Sequence, residues 1–154
     1  MPPTPPPRPD YEVAHLSDIP PTSTDDSDGL VIPGEWRQLR HFFGIKEFSA
    51  NVFVAVEAGQ EIIHEHSERA NDDPEKPGDE ELYFVVSGRA LVRLDDELVE
   101  VGPGTCVFVG EPHVVRSVTA LEQGTTILTF GTNPGVEFVV STFERDVSQP
   151  PRWS

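Results

Sequence analysis

Apolar and polar residues alternate with a period of two along the middle of the chain. The alternating segments are rich in β-branched and aromatic residues, which is typical of β-strands that bury one face. Glycine and proline residues separate these segments at short intervals, as in a β-sandwich or β-barrel. We predict strands from this pattern at 51–57, 81–87, 89–94, 97–101, 105–109, 114–119 and 125–130.

Helical periodicity is almost absent from the chain. Only two short stretches, near 35–41 and 121–123, are candidates for helix. The chain also contains no repeated sequence unit. The predicted fold class is therefore all-β, with a core between about Trp36 and Val140.

The two ends of the chain differ in composition from the middle. Pro, Asp, Ser and Thr dominate residues 1–34, and this composition buries little apolar surface. We predict an acidic, proline-rich arm over 1–34, partly disordered or docked on the barrel. A single barrel domain follows over 35–143, and a C-terminal tail occupies 144–154.

Charge and cysteine content restrict the partners and the compartment. The 154 residues include 11 basic and 27 acidic side chains, giving a net charge of −16. Such a surface repels nucleic-acid phosphates and anionic lipid head groups, so neither partner is favoured. The single cysteine, Cys106, cannot form an intramolecular disulfide. The first residues also lack the apolar stretch of a signal peptide, and we expect a cytoplasmic protein.

Two histidines and a glutamate form the clearest cluster of candidate metal ligands. His64 and His66 are two residues apart, so in a regular strand both rings point to the same face. Glu81 begins a later strand, and a buried carboxylate there needs a partner such as a cation. Two imidazoles and one carboxylate are the ligands of non-haem Fe(II) sites.

The spacing of these residues resembles the first motif of the cupin superfamily. That motif reads Gly, five residues, His-x-His, three or four residues, Glu, six residues, Gly. This chain has Gly59, four residues, His64-Glu-His66, fourteen residues, Glu81, six residues and Gly88. Residues 67–80 are then an inserted polar loop, which a hairpin tolerates at small entropic cost.

The second cupin motif is matched less well. It reads Gly, five residues, Pro-x-Gly, two residues, His, three residues, Asn. Counted from Gly104, the histidine position holds Val115. His113 lies two residues earlier, on the same face of a regular strand, and a loop shortened by two residues would bring it to the metal.

The resemblance implies an RmlC-like cupin, a double-stranded β-helix or jelly-roll barrel. It also implies a mononuclear divalent metal site with His64, His66, Glu81 and His113 as ligands. Fe(II) is favoured, and Mn, Ni or Zn are alternatives. Metal-free cupins also exist, and they bind small molecules without catalysing a reaction.

Two functions remain open at this point. The first is a metal-dependent enzyme, a dioxygenase-like oxidoreductase or an isomerase, acting on a small polar or anionic molecule. Tyr83 and Arg116 are its candidate catalytic residues, because Tyr83 shares the face of Glu81 and Arg116 can bind a carboxylate through a bidentate fork. The second is a non-catalytic binding cupin with a degenerate or absent metal site.

Association and packing give two further expectations. Barrels of this class commonly pair, and the long arm can reach the sheet edge of a neighbour, so we expect a homodimer. Cys106 and Phe108 fall on a predicted strand. We expect the thiol to be a small buried apolar group and the ring to belong to the core.

Overall fold

Each of the seven predicted segments overlaps a β-strand, and two further strands bring the number to nine in the part of the chain that the structure describes. A computed structural model describes residues 3–22, 34–68, 78–133 and 150–154. The elements are β1 (Glu35–Gln38), α1 (Leu39–Phe43), β2 (Ser49–Val54), β3 (Glu61–His66), β4 (Glu80–Ser87), β5 (Ala90–Leu94), β6 (Glu97–Val101), β7 (Cys106–Val109), β8 (Arg116–Ala120) and β9 (Thr126–Thr132). The predicted all-β fold class is confirmed.

Two antiparallel sheets enclose the core. The five-stranded sheet has the order β1-β2-β9-β4-β7, and the four-stranded sheet has the order β3-β8-β5-β6. Alternate residues of β4 and β9, such as Tyr83, Val85 and Ile127, are almost completely buried. They meet Val92 and Val118 of the other sheet in one apolar cluster. Burial of each such side chain contributes roughly 1.5–3 kcal/mol.

The first helix candidate is largely a strand. Residues Glu35–Gln38 form β1, and only Leu39–Phe43 are helical. Trp36 lies opposite Phe53 of β2, and its Nε1 donates a hydrogen bond to Asn51 Oδ1 at 2.8 Å. Pairing with β2 therefore overrides the local helical tendency. The second candidate, 121–123, lies in a turn.

Strand β7 corrects two expectations about the core. Cys106 is exposed, and Phe108 is 64% exposed. In the described sheet β7 is an edge strand whose pairing partner is β4. Cys106 and Phe108 alternate with Val107 and Val109, and Val109 is the buried residue of the strand. The two mispredicted side chains therefore point away from the core.

Both ends of the chain contact the barrel near β1 and α1. Ile19 of the arm is buried, and its carbonyl accepts a hydrogen bond from Nη1 of Arg37. Arg152 of the tail pairs with Glu12 at 2.6 Å and stacks on the ring of Phe42 at 3.7 Å. The predicted boundary between 143 and 144 lies outside the described residues. Across the described ranges, no helix is long and apolar enough to span a membrane.

Gly88 ends β4 in a conformation that only glycine fits. Its φ is 78°, and a Cβ at this position would lie 2.6 Å from Cα of Thr125. We expect Gly88→Ala to lower the free energy of unfolding by at least about 2 kcal/mol, because backbone strain adds to a clash with buried backbone. Urea denaturation measures the loss.

Gly104 is the matched control for this prediction. Its φ is 83°, but a Cβ there meets no atom within 4 Å. Gly104→Ala therefore carries only the strain of positive φ, about 1 kcal/mol. Equal losses in the two variants would contradict the packing role of Gly88.

Candidate metal centre

Strand β3 is irregular at the point where its histidines lie. Its pairing with β8 places Glu61 opposite Thr119, Ile63 opposite Val118 and His66 opposite Arg116, with a register shift in each interval. Such shifts are β-bulges, in which one strand has an extra residue relative to the strand that it pairs with. Regular alternation along β3 is therefore interrupted, and the adjacent Ile62 and Ile63 are both buried.

His66 is held at both ring nitrogens. Its Nδ1 lies 2.6 Å from the backbone carbonyl of His64. A carbonyl only accepts, so Nδ1 carries the proton and Nε2 is the nitrogen left for a carboxylate or a metal. This Nε2 lies 3.1 Å from Oε1 of Glu68 and 3.9 Å from Oε2 of Glu81.

Glu81 projects from β4 into the same space. Its Oε2 accepts hydrogen bonds from the Tyr83 hydroxyl at 2.8 Å and from Nη1 of Arg116 at 2.9 Å. On β9, Gly131 lies opposite Glu81, and a Cβ there would approach Cγ of Glu81 to 3.3 Å. The carboxylate is thus fixed by two donors and by a neighbouring strand that leaves it room.

Arg116 lies at the start of β8 and is completely buried. Besides Glu81, its guanidinium donates to three backbone carbonyls: Nε to Val114 at 3.1 Å, and Nη2 to Glu111 and Pro112 at 3.3 and 3.5 Å. One side chain therefore links the ligand carboxylate to the loop before β8. Burial of the charge is tolerated because most of its donors are satisfied.

Glu68 is a candidate ligand that the sequence analysis missed. It follows β3 by two residues, and its backbone N–H donates to the carbonyl of Pro112 at 2.9 Å. Gly78 packs against it: a Cβ on Gly78 would lie 2.8 Å from the carbonyl carbon of Glu68 and 2.5 Å from Cβ of Pro112. Residues 69–77, most of the predicted inserted loop, lie outside the described residues. Glu68, at one end of that loop, is therefore held at the site by contacts with Pro112 and with Gly78 at the other end.

Three side chains offer ligand atoms at mutual distances suited to one metal ion. One atom each from His66, Glu68 and Glu81 lies within 4.8 Å of the other two. All three residues are partly buried. One imidazole and two carboxylates are a ligand set suited to borderline or hard divalent cations. The fixed Nδ1 hydrogen bond of His66 orients Nε2 as metal-binding histidines require.

The acid–base properties of these groups depend on one another. Burial disfavours the protonated form of His66 and acts to lower its pKa. The hydrogen bonds to Glu68 and to the carbonyl of His64, together with the charges of Glu68 and Glu81, act in the opposite direction and outweigh burial. The pKa of His66 is therefore raised above 6.5. Burial also acts to raise the pKa of Glu68, yet the hydrogen bond with His66 and the nearby cations lower it below 4.5. Burial and then the charge of Glu68 raise the pKa of Glu81, against the effect of its donors. The pKa values of the two carboxyl groups are therefore displaced in opposite directions.

Two neighbouring acids are perturbed as well. Burial and the charge of Glu68 raise the pKa of Asp79. Burial and the adjacent Glu81 raise the pKa of the Tyr83 hydroxyl well above 10. Tyr83 is 2% exposed and therefore keeps its proton as a hydrogen-bond donor to Glu81.

The structure brings two of the four sequence-predicted ligands together. His66 and Glu81 belong to the group of three, whereas His64 and His113 contribute no atom to it. Nδ1 of His64 lies 3.3 Å from Oε1 of Glu61, and His64 falls within the second register shift of β3, between Ile63 and His66. The His113 side chain is 63% exposed, with Nδ1 4.0 Å from Oε2 of Glu111. The ligand roles of His64 and His113 remain predictions.

The raised pKa of His66 predicts a pH dependence of stability in metal-free protein. A group whose pKa is higher in the folded than in the unfolded state stabilises the fold. The effect is complete at pH values below the unfolded-state pKa, and it is lost as the pH rises through the folded-state pKa. We therefore expect His66→Gln to lower the free energy of unfolding more at about pH 6 than at about pH 9. Urea denaturation in the presence of a chelator measures both differences.

His113→Gln is the control for this comparison, since His113 lies outside the group and is largely exposed. Its effect on the unfolding free energy should be small at both pH values. A difference between wild type and His66→Gln that does not change with pH would contradict the interpretation of His66 as a stabilising cation.

Comparison with known proteins gives one sequence relative and several structural neighbours. No family model matches the chain. An uncharacterized protein of Methanocaldococcus jannaschii is 28% identical over 96 residues, which is 59% of this chain and 65% of that protein. The match thus covers slightly less than two thirds of the relative's length.

Three solved structures share the arrangement of the two sheets. An RmlC-like cupin from Shewanella frigidimarina is 20% identical, with a TM-score of 0.54 over 81% of this chain and 94% of the other. A Klebsiella pneumoniae protein with a double-stranded β-helix domain is 13% identical, with a TM-score of 0.56 over 85% and 97%. A sugar phosphate isomerase of the cupin superfamily from Silicibacter pomeroyi is 16% identical, with a TM-score of 0.59 over 79% and 75%. At these identities the likeness concerns the fold.

Proposed function

We propose that this chain, which has the cupin fold, binds one divalent metal ion through His66, Glu68 and Glu81 and uses the site to bind a small polar molecule. The observation that carries the proposal is the convergence of three ligand atoms within 4.8 Å of one another. The Nδ1 hydrogen bond of His66 to the carbonyl of His64 supports it, because it leaves Nε2 as the ligand atom.

The ligand set restricts the choice of metal. Two carboxylates and one imidazole offer more oxygen than the two-histidine, one-carboxylate set expected from the sequence. Carboxylates suit Mn(II), and a mixed oxygen and nitrogen set also suits Fe(II) or Zn(II). We favour Fe(II) or Mn(II), with Zn and Ni as alternatives. A bound ion of this kind polarises a carbonyl or hydroxyl oxygen of a ligand.

The chain's own polar groups give the site its chemical character. The hydroxyl of Tyr83 stays protonated and donates a hydrogen bond to Glu81, so its first role is to orient that carboxylate. Arg116 holds Glu81 through Nη1 and is fully buried, so its first role is to position that carboxylate. Enzymatic roles for Tyr83 and Arg116 remain part of the proposal.

The substrate class rests on polarity and on a fold-level likeness. The site is lined by charged and hydroxyl groups, which suits a small polar or anionic molecule. One structural neighbour is described as a sugar phosphate isomerase, which supports Lewis-acid isomerisation alongside dioxygenase-like chemistry. Fold alone supports many activities, so the likeness is an analogy.

A metal-free binding function is the second candidate. Arg116 and protonated His66 already supply two positive charges to the two carboxylates of Glu68 and Glu81. This balance allows the site to be stable without an ion. The metal and metal-free hypotheses predict opposite results in a binding experiment.

Removal of single ligands tests the metal hypothesis. We expect His66→Ala, Glu68→Gln and Glu81→Gln each to weaken Mn(II) or Zn(II) binding by about 10-fold or more, because each removes one of three ligands. Isothermal titration calorimetry on protein stripped by a chelator measures the affinity. Elemental analysis of protein purified without a histidine tag identifies the natural ion.

His64→Ala and His113→Ala test the sequence-based assignment in the same experiment. If they bind metal like wild type, the site consists of the three residues brought together in the structure. If either loses binding, that histidine joins the site. Wild-type protein that retains none of Fe(II), Mn, Ni or Zn would leave the metal-free binding function.

A homodimer remains a further proposal. Phe108 and Leu98 are large apolar side chains that are more than 60% exposed, and apolar exposure of this kind favours association. Sedimentation equilibrium at micromolar concentration should give twice the chain mass of 17.0 kDa. A mass of one chain would refute the proposal.

A further inference from the structure

The buried guanidinium of Arg116 lies within one hydrogen bond of a proposed metal ligand. Its Nη1 is 2.9 Å from Oε2 of Glu81, and the arginine side chain has no solvent exposure. Across the strand pair, Arg116 lies opposite His66. Arginine keeps its proton in proteins. The site therefore contains a permanent positive charge beside the position proposed for a metal ion.

We propose that Arg116 is a built-in competitor of the metal ion, which holds Glu81 in the metal-free site and lowers the affinity of the site for divalent cations. The inference rests on the proposed function in that it concerns the same three ligands. It differs in assigning to Arg116 a role that opposes metal binding, whereas the ligands promote it.

The charges of the site give the reason. Glu68 and Glu81 contribute two negative charges, and a divalent ion bound with neutral His66 compensates both. Arg116 then adds one positive charge beyond those that the two ligand carboxylates compensate. In a buried site that charge is screened less than in water. Asp79, half-buried nearby, is a third acid on which the positive charge of Arg116 acts, so it belongs to the electrostatic surroundings of the site.

A purely structural role for Arg116 predicts the opposite sign. Its guanidinium also binds the carbonyls of Glu111, Pro112 and Val114 and so fixes the loop before β8. In that loop, the carbonyl of Pro112 accepts a hydrogen bond from the backbone N–H of Glu68. If Arg116 served only to order the loop, its loss would disorder Glu68 and weaken metal binding. The competitor role predicts that its loss strengthens binding.

The decisive variant is Arg116→Gln, which removes the charge and keeps a hydrogen-bond donor. On chelator-stripped protein we expect Mn(II) and Zn(II) to bind about tenfold or more tighter than to wild type. Arg116→Lys keeps the positive charge, so its affinity should stay within about threefold of wild type. Calorimetry gives the dissociation constants, and circular dichroism verifies the fold of each variant.

Arg89→Gln is the matched control for net charge. Arg89 is half-exposed at the start of the β5–β6 hairpin and pairs with Glu100 there. Loss of one surface charge from a chain of net charge −16 should leave the metal affinity unchanged. An equal gain of affinity in Arg89→Gln and Arg116→Gln would overturn the proposal, since the effect would then come from overall charge.

A second neutral variant keeps the proposal testable if the glutamine variant does not fold. Arg116→Met removes the permanent charge, keeps the length of the side chain and adds no imidazole or carboxylate ligand, so it should also bind Mn(II) more tightly than wild type. Folded neutral variants that bind like wild type, or more weakly, overturn the proposal. So does failure of both neutral variants to fold while Arg116→Lys folds, because the charge would then be required for folding.

The results also separate this inference from the proposed function. If wild type binds no ion and Arg116→Gln does, the competitor role is supported and the metal function of the wild type fails. If wild type binds metal and Arg116→Gln binds it equally, only the competitor role fails. If neither binds any ion, both proposals fail.

Discussion

Glu81 and Arg116 form an ion pair inside the barrel, with no exposure of the arginine side chain. A buried carboxylate or guanidinium alone would destabilise the fold by several kcal/mol, so each requires the other. Because Glu81 belongs to β4 and Arg116 to β8, the pair also joins the two sheets. The hydroxyl of Tyr83 donates a hydrogen bond to the same oxygen of Glu81.

The irregular strand β3 provides the second condition for the site. Ile62 and Ile63 are adjacent in sequence and both buried, which regular alternation does not allow. The register shifts that permit this also place His66 opposite Arg116. The same irregularity leaves His64 to supply a backbone carbonyl to His66 and to direct its own ring towards Glu61. Bulges beside functional sites commonly redirect a side chain in this way.

The sequence predicted the sheets better than the site, for physical reasons. Alternation along β4 and β9 follows from burial of one face, so the strands and the position of Glu81 could be predicted from local pattern. The bulge in β3 depends on pairing with β8, and Glu68 depends on contacts of Pro112 and Gly78 with its backbone. These contacts join residues that are far apart in sequence, so the spacing of residues within one segment cannot predict them. The exposed face of β7 was missed because all four of its residues, Cys106–Val109, are apolar, so no alternation marks the buried face.

Surface charge and site charge act on cations in opposite directions. A net charge of −16 raises the concentration of all divalent cations near the surface, without regard to their identity. Arg116 places one positive charge beside the position proposed for a metal ion. An ion attracted only by charge gains little there, whereas an ion that coordinates the imidazole of His66 and the carboxylates of Glu68 and Glu81 is compensated by those bonds. The proposed competition by Arg116 thus implies that coordination, and not charge alone, selects the ion at this site.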